Sequence, residues 1–263
     1  MSLRRRGKKC TLIYQHKLEL AVRRYPKGTN MNFKALLLAT ALVSGAPAIA
    51  SAQETTTSVN IGAASSYQFR GVNQNVSDEV QIFGGIDIAA GDFYVGTWLS
   101  NMDFGTKANL EVDVYAGFKP KLGPVQFDFG VLGYLYPQEA DLRIFEAKAA
   151  GTIANEAGMS LTGSVFYSPE AGKDGPAYVY GELAALVPIP GAKVGPFAFS
   201  LNAAVGTATY DTNPIYPDYT NWKLGVTAAT ESGWAVDLFY TDTDVSNNEL
   251  YKSKTVLQLK RTF

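Results

Sequence analysis

LYKSKTVLQLKRTF (Leu250–Phe263) closes the chain, and it reads as one alternating strand that stops on an aromatic residue. Tyr251, Leu257, Leu259 and Phe263 share one parity, and Lys252, Lys254, Gln258 and Lys260 share the other. Successive side chains of a strand point to opposite faces, so one face of this segment is apolar and the other cationic. Arg261 alone breaks the pattern, a charge on the apolar parity whose long stem allows it to snorkel to an interface. A strand of this kind needs a packed core or a bilayer against its apolar face.

The same unit, about ten alternating residues closed by Gly, Pro, Asn or Asp, recurs upstream, as in transmembrane barrels. Strands are predicted near 56–70, 79–90, 93–103, 109–119, 125–136, 142–154, 159–168, 177–187, 197–210, 219–230, 234–243 and 250–263. Twelve is an even number, which puts both ends of a barrel on one side. Tight turns at Gly91-Asp92, Asn155 to Gly158 and Glu231 to Gly233 alternate with longer connections: Gly71 to Asp78, Pro169 to Pro176, Asp211 to Asp218 and Asp244 to Glu249. Short turns on one side and longer loops on the other match periplasmic and extracellular faces. None of the loops reads as long enough to fold inward as a large plug. No window of eighteen apolar residues follows residue 52, so helical spans are excluded there.

Face assignment is clearest on three segments. Leu110, Val112, Val114 and Phe118 oppose Glu111, Asp113 and Tyr115; Val80, Ile82, Ile86 and Ile88 oppose Glu79, Gln81 and Asp87; Trp222, Leu224 and Val226 oppose Asn221, Lys223 and Thr227. A charge on the lipid face near the midplane costs about 2–4 kcal/mol, which explains such segregation. Phe93, Tyr94, Tyr210, Tyr219, Trp234, Tyr240 and Tyr251 lie near strand ends and are expected in interfacial girdles. A soluble sandwich or lipocalin-like barrel has the same period with its apolar face inward. An export signal, the even hairpin count and terminal Phe263 favour the membrane: an all-β, up-and-down antiparallel transmembrane barrel of twelve strands.

That export signal lies at 31–52. Met31-Asn32-Phe33-Lys34 opens a short basic region, Ala35 to Val43 is apolar, and Ala50-Ser51-Ala52 supplies an A-x-A cleavage site. Cleavage is expected after Ala52, leaving residues 53–263 as a single barrel domain. Residues 1–30 form a basic extension upstream, read as an early start or a segment removed with the signal. Cys10 and His16, the lone cysteine and histidine, both precede the site. Residues 53–263 therefore offer no thiol or imidazole for disulfides, zinc ligation or a Ser-His-Asp arrangement. They carry 13 basic and 23 acidic residues, a formal charge of −10, against −1 for the whole chain. Nucleic-acid binding, which needs a basic footprint, is thus not expected, and an acidic interior attracts small cations. No cofactor and no metal are expected.

A chain ending flush on such a strand with Phe resembles bacterial outer-membrane barrels. In that class the last strand, here Leu257, Leu259 and Phe263, is the assembly signal read by the insertion machinery. Four stretches go further: SSYQFRGVNQN (65–75), FYVGTWLSNMDFG (93–105), NLEVDVYAGF (109–118) and FGVLGYLYP (129–137). They resemble the Gcw_chp family, the TorF-type porins of proteobacterial outer membranes. The resemblance spans residues 53–263 and is specific over 65–137. It implies a small outer-membrane barrel of porin type, with no established substrate or catalytic residues to carry over. Its partners are then the bilayer, lipopolysaccharide and small solutes or ions.

The predicted lumen holds Arg70, Glu79, Asp87, Glu111, Asp113, Asp128 and Glu146 from the first half. The second half adds Lys148, Glu182, Lys223, Asp237, Lys252, Lys254 and Lys260. Two arrangements are compatible with this set. In one, acidic strands four to six face a cationic last strand across a narrow pore, giving a transverse field. In the other, ion pairs plug the interior, as in small barrels. The size of a twelve-stranded barrel favours the narrow pore, passive and leaning mildly toward cations. The runner-up is a non-conducting structural or surface-binding barrel. Glu111 and Asp113, about 7 Å apart on one face, have the makings of a hydrolytic pair. With no third group identifiable, lumen lining is the better account, and no enzyme is expected. Asp242 to Glu249 begins like a calcium loop but has Asn247 where Gly is needed and Ser253 where a bidentate Glu belongs. It reads as a polar loop. Asn213-Pro214 and Tyr216-Pro217 mark a rigid turn.

Overall fold

The computed structural model describes residues 55–211 and 216–263. The basic extension, the expected signal peptide with Ala50 and Ala52, and the turn expected at Asn213-Pro214 lie outside the described residues. Twelve antiparallel strands carry the wall. The first six are β1 (Thr55–Ala64), β2 (Gln81–Ala90), β3 (Phe93–Asn101), β4 (Leu110–Phe118), β5 (Val125–Leu135) and β6 (Ile144–Ala154). The others are β7 (Ser160–Ser168), β8 (Tyr178–Val194), β9 (Phe197–Tyr210), β10 (Tyr219–Ala229), β11 (Trp234–Thr243) and β12 (Lys254–Thr262).

Each strand pairs with its neighbours in sequence, and β1 closes on β12 from Asn60↔Thr262 to Ala64↔Gln258. Closure leaves no free sheet edge, which a bilayer demands. The packing is inside-out. Ile61, Ile82, Val131 and Leu224 point outward with more than half of their surface exposed. The buried side chains are chiefly tyrosines and polar groups, among them Tyr67, Tyr180, Asn75, Ser100, Glu111 and Glu146. An apolar exterior around a polar, aromatic interior is the order a membrane imposes.

Three predicted strands differ most in length. β8 runs past Val187 to Val194, because its two prolines fall where the pairing with β9 shifts register between Pro188 and Lys193. A proline costs a strand no ladder bond at such an irregularity. β12 begins at Lys254 and not Leu250: Glu249–Tyr251 forms a 3₁₀ turn, with the Asn248 side chain accepting from the Leu250 N–H. That turn swings the Tyr251 ring inward onto Tyr219, 5.1 Å between centroids.

β1 ends at Ala64 instead of 70, and this difference decides the site. Residues beyond it leave the wall and form a small separate hairpin, Gln68–Phe69 paired with Val72–Asn73. Its turn residues, Arg70 (φ 51°) and Gly71 (φ 78°), are both left-handed, the requirement of a two-residue type I′ turn. Gly71 serves a second purpose: a Cβ there falls 2.7 Å from Asn221 Cβ and 2.9 Å from Thr243 Cγ2. Tyr67 meets Trp98 of β3, while Arg70 reaches Glu146 of β6, Phe166 of β7 and Tyr180 of β8. A segment touching inward side chains from β3 round to β11 lies within the lumen. The loops are too short to fold inward as a large plug, yet a small hairpin does enter the lumen. Six hairpin residues suffice, because the barrel interior is narrowed by large tyrosines.

Candidate functional site

The site is the seat of this hairpin at the long-loop end of the lumen. Arg70 donates to both oxygens of Glu146, at 2.5 and 3.0 Å. Tyr134 and Tyr178 hydroxyls donate to the same carboxylate at 2.8 and 2.7 Å. The guanidinium carbon sits 4.3 to 4.6 Å from the ring centroids of Phe69, Phe166 and Tyr180. Aromatic faces and a bidentate carboxylate suit a planar, weakly hydrated cation. Burial works against this charge, but Glu146 more than offsets it, and the Arg70 pKa lies above its ordinary value.

A second carboxylate is held in the same manner. Glu111 accepts from Tyr67 at 2.5 Å and from Tyr136 at 2.8 Å. Burial pushes both hydroxyls well above the ordinary tyrosine range, and the neighbouring Glu111 charge adds to this. Asp113, one inward position along β4, has an Oδ1 that is buried without a hydrogen-bond partner. Three carboxylates thus crowd this side of the lumen, and Arg70 is the cation brought among them.

Two polar cavities lie along the lumen toward the short-turn end, the first of them reaching up to the hairpin tip. One, about 370 Å³, is lined by Glu182, Lys223, Asp237, Asn202, Gln258 and neighbouring groups, with Arg70 and Gly71 at its boundary. Glu182 accepts from Tyr180 at 2.9 Å, Asp237 accepts from Thr227 and Gln258, and Lys223 lies 5.3 Å from the Phe239 centroid. The other, about 240 Å³, is lined by Asp87, Tyr94, Tyr115, Lys119, Asp128, Leu132 and Lys148. There Lys148 and the Tyr94 hydroxyl donate to Asp128 at 2.6 and 2.8 Å, and Tyr115 donates to Asp87 at 2.6 Å.

Of the predicted lumen residues, Asp87, Glu111, Asp113, Asp128, Glu146, Lys148, Glu182, Lys223 and Asp237 line these inner regions. Arg70 does too, but from a loop instead of strand one. Glu79 does not: β2 starts at Gln81, and Glu79 is exposed in the loop ahead of it. Nor does Lys252, which follows the 3₁₀ turn and pairs with Glu249 in solvent at 2.6 Å. Lys254 opens β12 and reaches Asp78 of the first long loop at 2.6 Å, while Lys260 faces inward near the chain end. The expected cationic wall on strand twelve thus shrinks to its two ends. The positive charge opposite the β4 and β6 acids arrives with the hairpin. Leu257, Leu259 and Phe263 point outward, 46 to 64 % exposed.

Four of the seven girdle aromatics turn inward. Tyr94 binds Asp128, Tyr219 and Tyr251 are buried, and Tyr210 packs on Tyr178. Phe93, Trp234 and Tyr240 remain outward. The parity of Tyr178 and Tyr180 with Glu182 already pointed inward; Tyr67 sits in a loop, where periodicity carries no signal. Asp242 and Asp244 accept local bonds, from Tyr240, Thr243 N–H and Thr220 N–H. Among the described residues no cluster of three or more His, Cys, Asp or Glu is arranged for a metal.

Residues 48–263 match the family described as "Bacterial protein of unknown function (Gcw_chp)". No curated protein sequence matches the chain. Among solved structures, a KdgM porin superposes with TM-score 0.50 at 7 % identity, covering 78 % of this chain and 98 % of that one. A NanC porin gives 0.48 at 9 % identity, over 79 % and 99 %. LpxR from Salmonella typhimurium gives 0.45 at 9 % identity, over 78 % and 99 %. At these identities the likeness to the KdgM porin concerns the barrel fold.

Proposed function

The chain belongs to the Gcw_chp family, and we propose that it is an outer-membrane porin giving small hydrophilic solutes a narrow, passive path that favours cations mildly. The observation that carries this reading is the pair of polar cavities in the lumen. A barrel built only as a strut fills its interior with side chains, as eight-stranded barrels do. Here the inward charges are spread along unfilled space. Asp87, Glu111, Asp113, Asp128, Glu146, Glu182 and Asp237 outnumber Arg70, Lys119, Lys148, Lys223, Lys254 and Lys260 by one, and a wall of slight net negative charge draws cations mildly. The bilayer and lipopolysaccharide are the surroundings this reading implies, with Leu257, Leu259 and Phe263 as the signal for the insertion machinery. No catalytic role is assigned.

A second reading, a non-conducting surface or structural barrel, is favoured by the hairpin lying across the long-loop end. Planar bilayers separate the two. The porin gives stepwise currents and, in a salt gradient, a reversal potential of cationic sign. A folded, heat-modifiable barrel that stays silent both intact and with the hairpin cut short rules the channel out.

A further inference from the structure

We infer that the Gln68–Asn73 hairpin is a removable stopper, and that the three carboxylates it covers, Glu111, Asp113 and Glu146, form the cation-selective constriction exposed when it withdraws. This rests on the channel reading above and assigns that channel its gate and its filter.

The hairpin is independent of the wall. It forms its own two-stranded sheet, separate from the barrel sheet. The base is closed internally, by Gln74 N–H donating to the Tyr67 carbonyl at 2.9 Å. Its further backbone link goes to another loop, from Asp103 N–H to the Gln74 carbonyl at 3.1 Å. Withdrawal therefore breaks no pairing between barrel strands, and the wall survives it intact.

What seats the hairpin is side-chain chemistry, and both hydrogen-bonded anchors land on the acidic set. Arg70 takes Glu146 and Tyr67 takes Glu111. A buried ion pair recovers in Coulomb attraction little more than it loses in desolvation. A seat built this way fixes geometry without making departure prohibitive. One feature of the seat favours release: Asp113 keeps a buried oxygen with no partner while the hairpin is in place. Water entering the vacated seat satisfies that oxygen.

Geometry supplies the filter. β4, β5 and β6 are adjacent, with Asp113 opposite Tyr134 and Glu146 opposite Leu132, so the acids gather on one arc of the lumen. Beyond them, toward the short-turn end, are the two polar cavities. A vacated seat joins the long-loop mouth to that space past an arc of carboxylates, the arrangement that selects cations in a narrow pore.

Three full-barrel proteins test this in planar bilayers under a KCl gradient, each first shown to be folded by heat-modifiable migration. They are the wild type, Arg70→Gln, and a variant in which Gln68–Asn73 is replaced by Asn-Gly and Tyr67 by Phe, so that both side-chain anchors are gone while the backbone at 67 is kept. The existing bond between Tyr67 and Gln74 allows that short turn. The short variant is expected to conduct continuously with cationic reversal, and Arg70→Gln to raise the open fraction about tenfold, equivalent to about 1.4 kcal/mol. Adding Glu111→Gln, Asp113→Asn and Glu146→Gln to the short variant is expected to bring the reversal potential close to zero. A short variant whose open fraction equals that of a conducting wild type overturns the stopper and leaves the porin standing. Silence from every folded protein removes the channel itself. An unmoved reversal potential in the triple substitution overturns the filter. If Arg70→Gln does not fold, the short variant decides alone.

Discussion

Lys254 in the last strand and Asp78 in the first long loop, 176 residues apart in sequence, meet at 2.6 Å across the seam where the barrel closes. The Lys254 ammonium is the main reason why Asp78 titrates below the ordinary carboxylate range. Because the folded pKa is depressed, the stabilisation is present above the unfolded value near 4 and fades as pH falls through the lowered one. Half of Asp78 or more is open to solvent, so the pair contributes only about 0.2–1 kcal/mol and is screened by salt. Hydrogen exchange in residues 74–80, taken relative to the intrinsic rate at each pH, should accelerate below pH 4 in the wild type. Lys254→Met should exchange at the fast rate at neutral pH and respond less to acid.

Alkaline pH acts on the hairpin from the opposite side. Tyr67 and Tyr136 are held protonated by burial beside Glu111, so their folded pKa values are raised. The corresponding stabilisation is full below the ordinary tyrosine value near 10 and declines as pH climbs above it. Tyr67→Phe removes one donor from a buried carboxylate and should cost about 1–3 kcal/mol of seating free energy. Protection of the hairpin amides from exchange measures it. Unchanged protection in Tyr67→Phe would show that the Glu111 contact does not hold the hairpin.

Gly71 tests the fit of the hairpin tip. Gly71→Ala places a methyl 2.7 Å from Asn221 Cβ at a φ of 78°, so the tip must move or strain. A non-glycine residue in the left-handed region loses about 1–2 kcal/mol before any clash is counted. The expected result is an intact barrel with a loosened hairpin, read as normal heat-modifiable migration together with faster proteolysis at 66–75. Global unfolding at this substitution would contradict the independence of hairpin and wall.

Arg261, the charge on the lipid-facing parity, lies 5.0 Å from the Trp234 centroid and 4.5 Å from the Phe263 centroid. Its guanidinium is housed between two outward aromatics at the short-turn end, where each face is worth about 0.5–1 kcal/mol. Arg261→Gln should lower stability by about that amount and shift Trp234 emission. The shift is measured with Trp98 and Trp222 replaced by Phe.

The wall of the barrel was legible because periodicity is a local signal. Alternation placed Ile82, Leu224 and Leu257 outside and Asp87, Glu111 and Lys223 inside, and the paired strands keep that order. Arg70 was legible as a lumen residue for an incorrect reason, since an alternating stretch from 56 to 70 hides the exit at Ala64. Nothing in residues 65–75 marks the turn as inward beyond a Gly at 71, and its partner Glu146 lies 76 residues on. Contacts of that span depend on barrel closure, which no window of sequence contains. The inward tyrosines were missed where aromatic residues near strand ends were assigned to the interface, although parity alone had already set Tyr94 against its outward neighbours.

The hairpin is joined to the barrel at both of its ends, which makes Arg70 an intramolecular ligand. Its local concentration is set by the connecting chain, in the millimolar range typical of short tethers, whatever the protein concentration. Reclosure is then unimolecular and complete within each barrel. A soluble cation that competes for Glu146 has to reach millimolar levels or bind that carboxylate better than a guanidinium does.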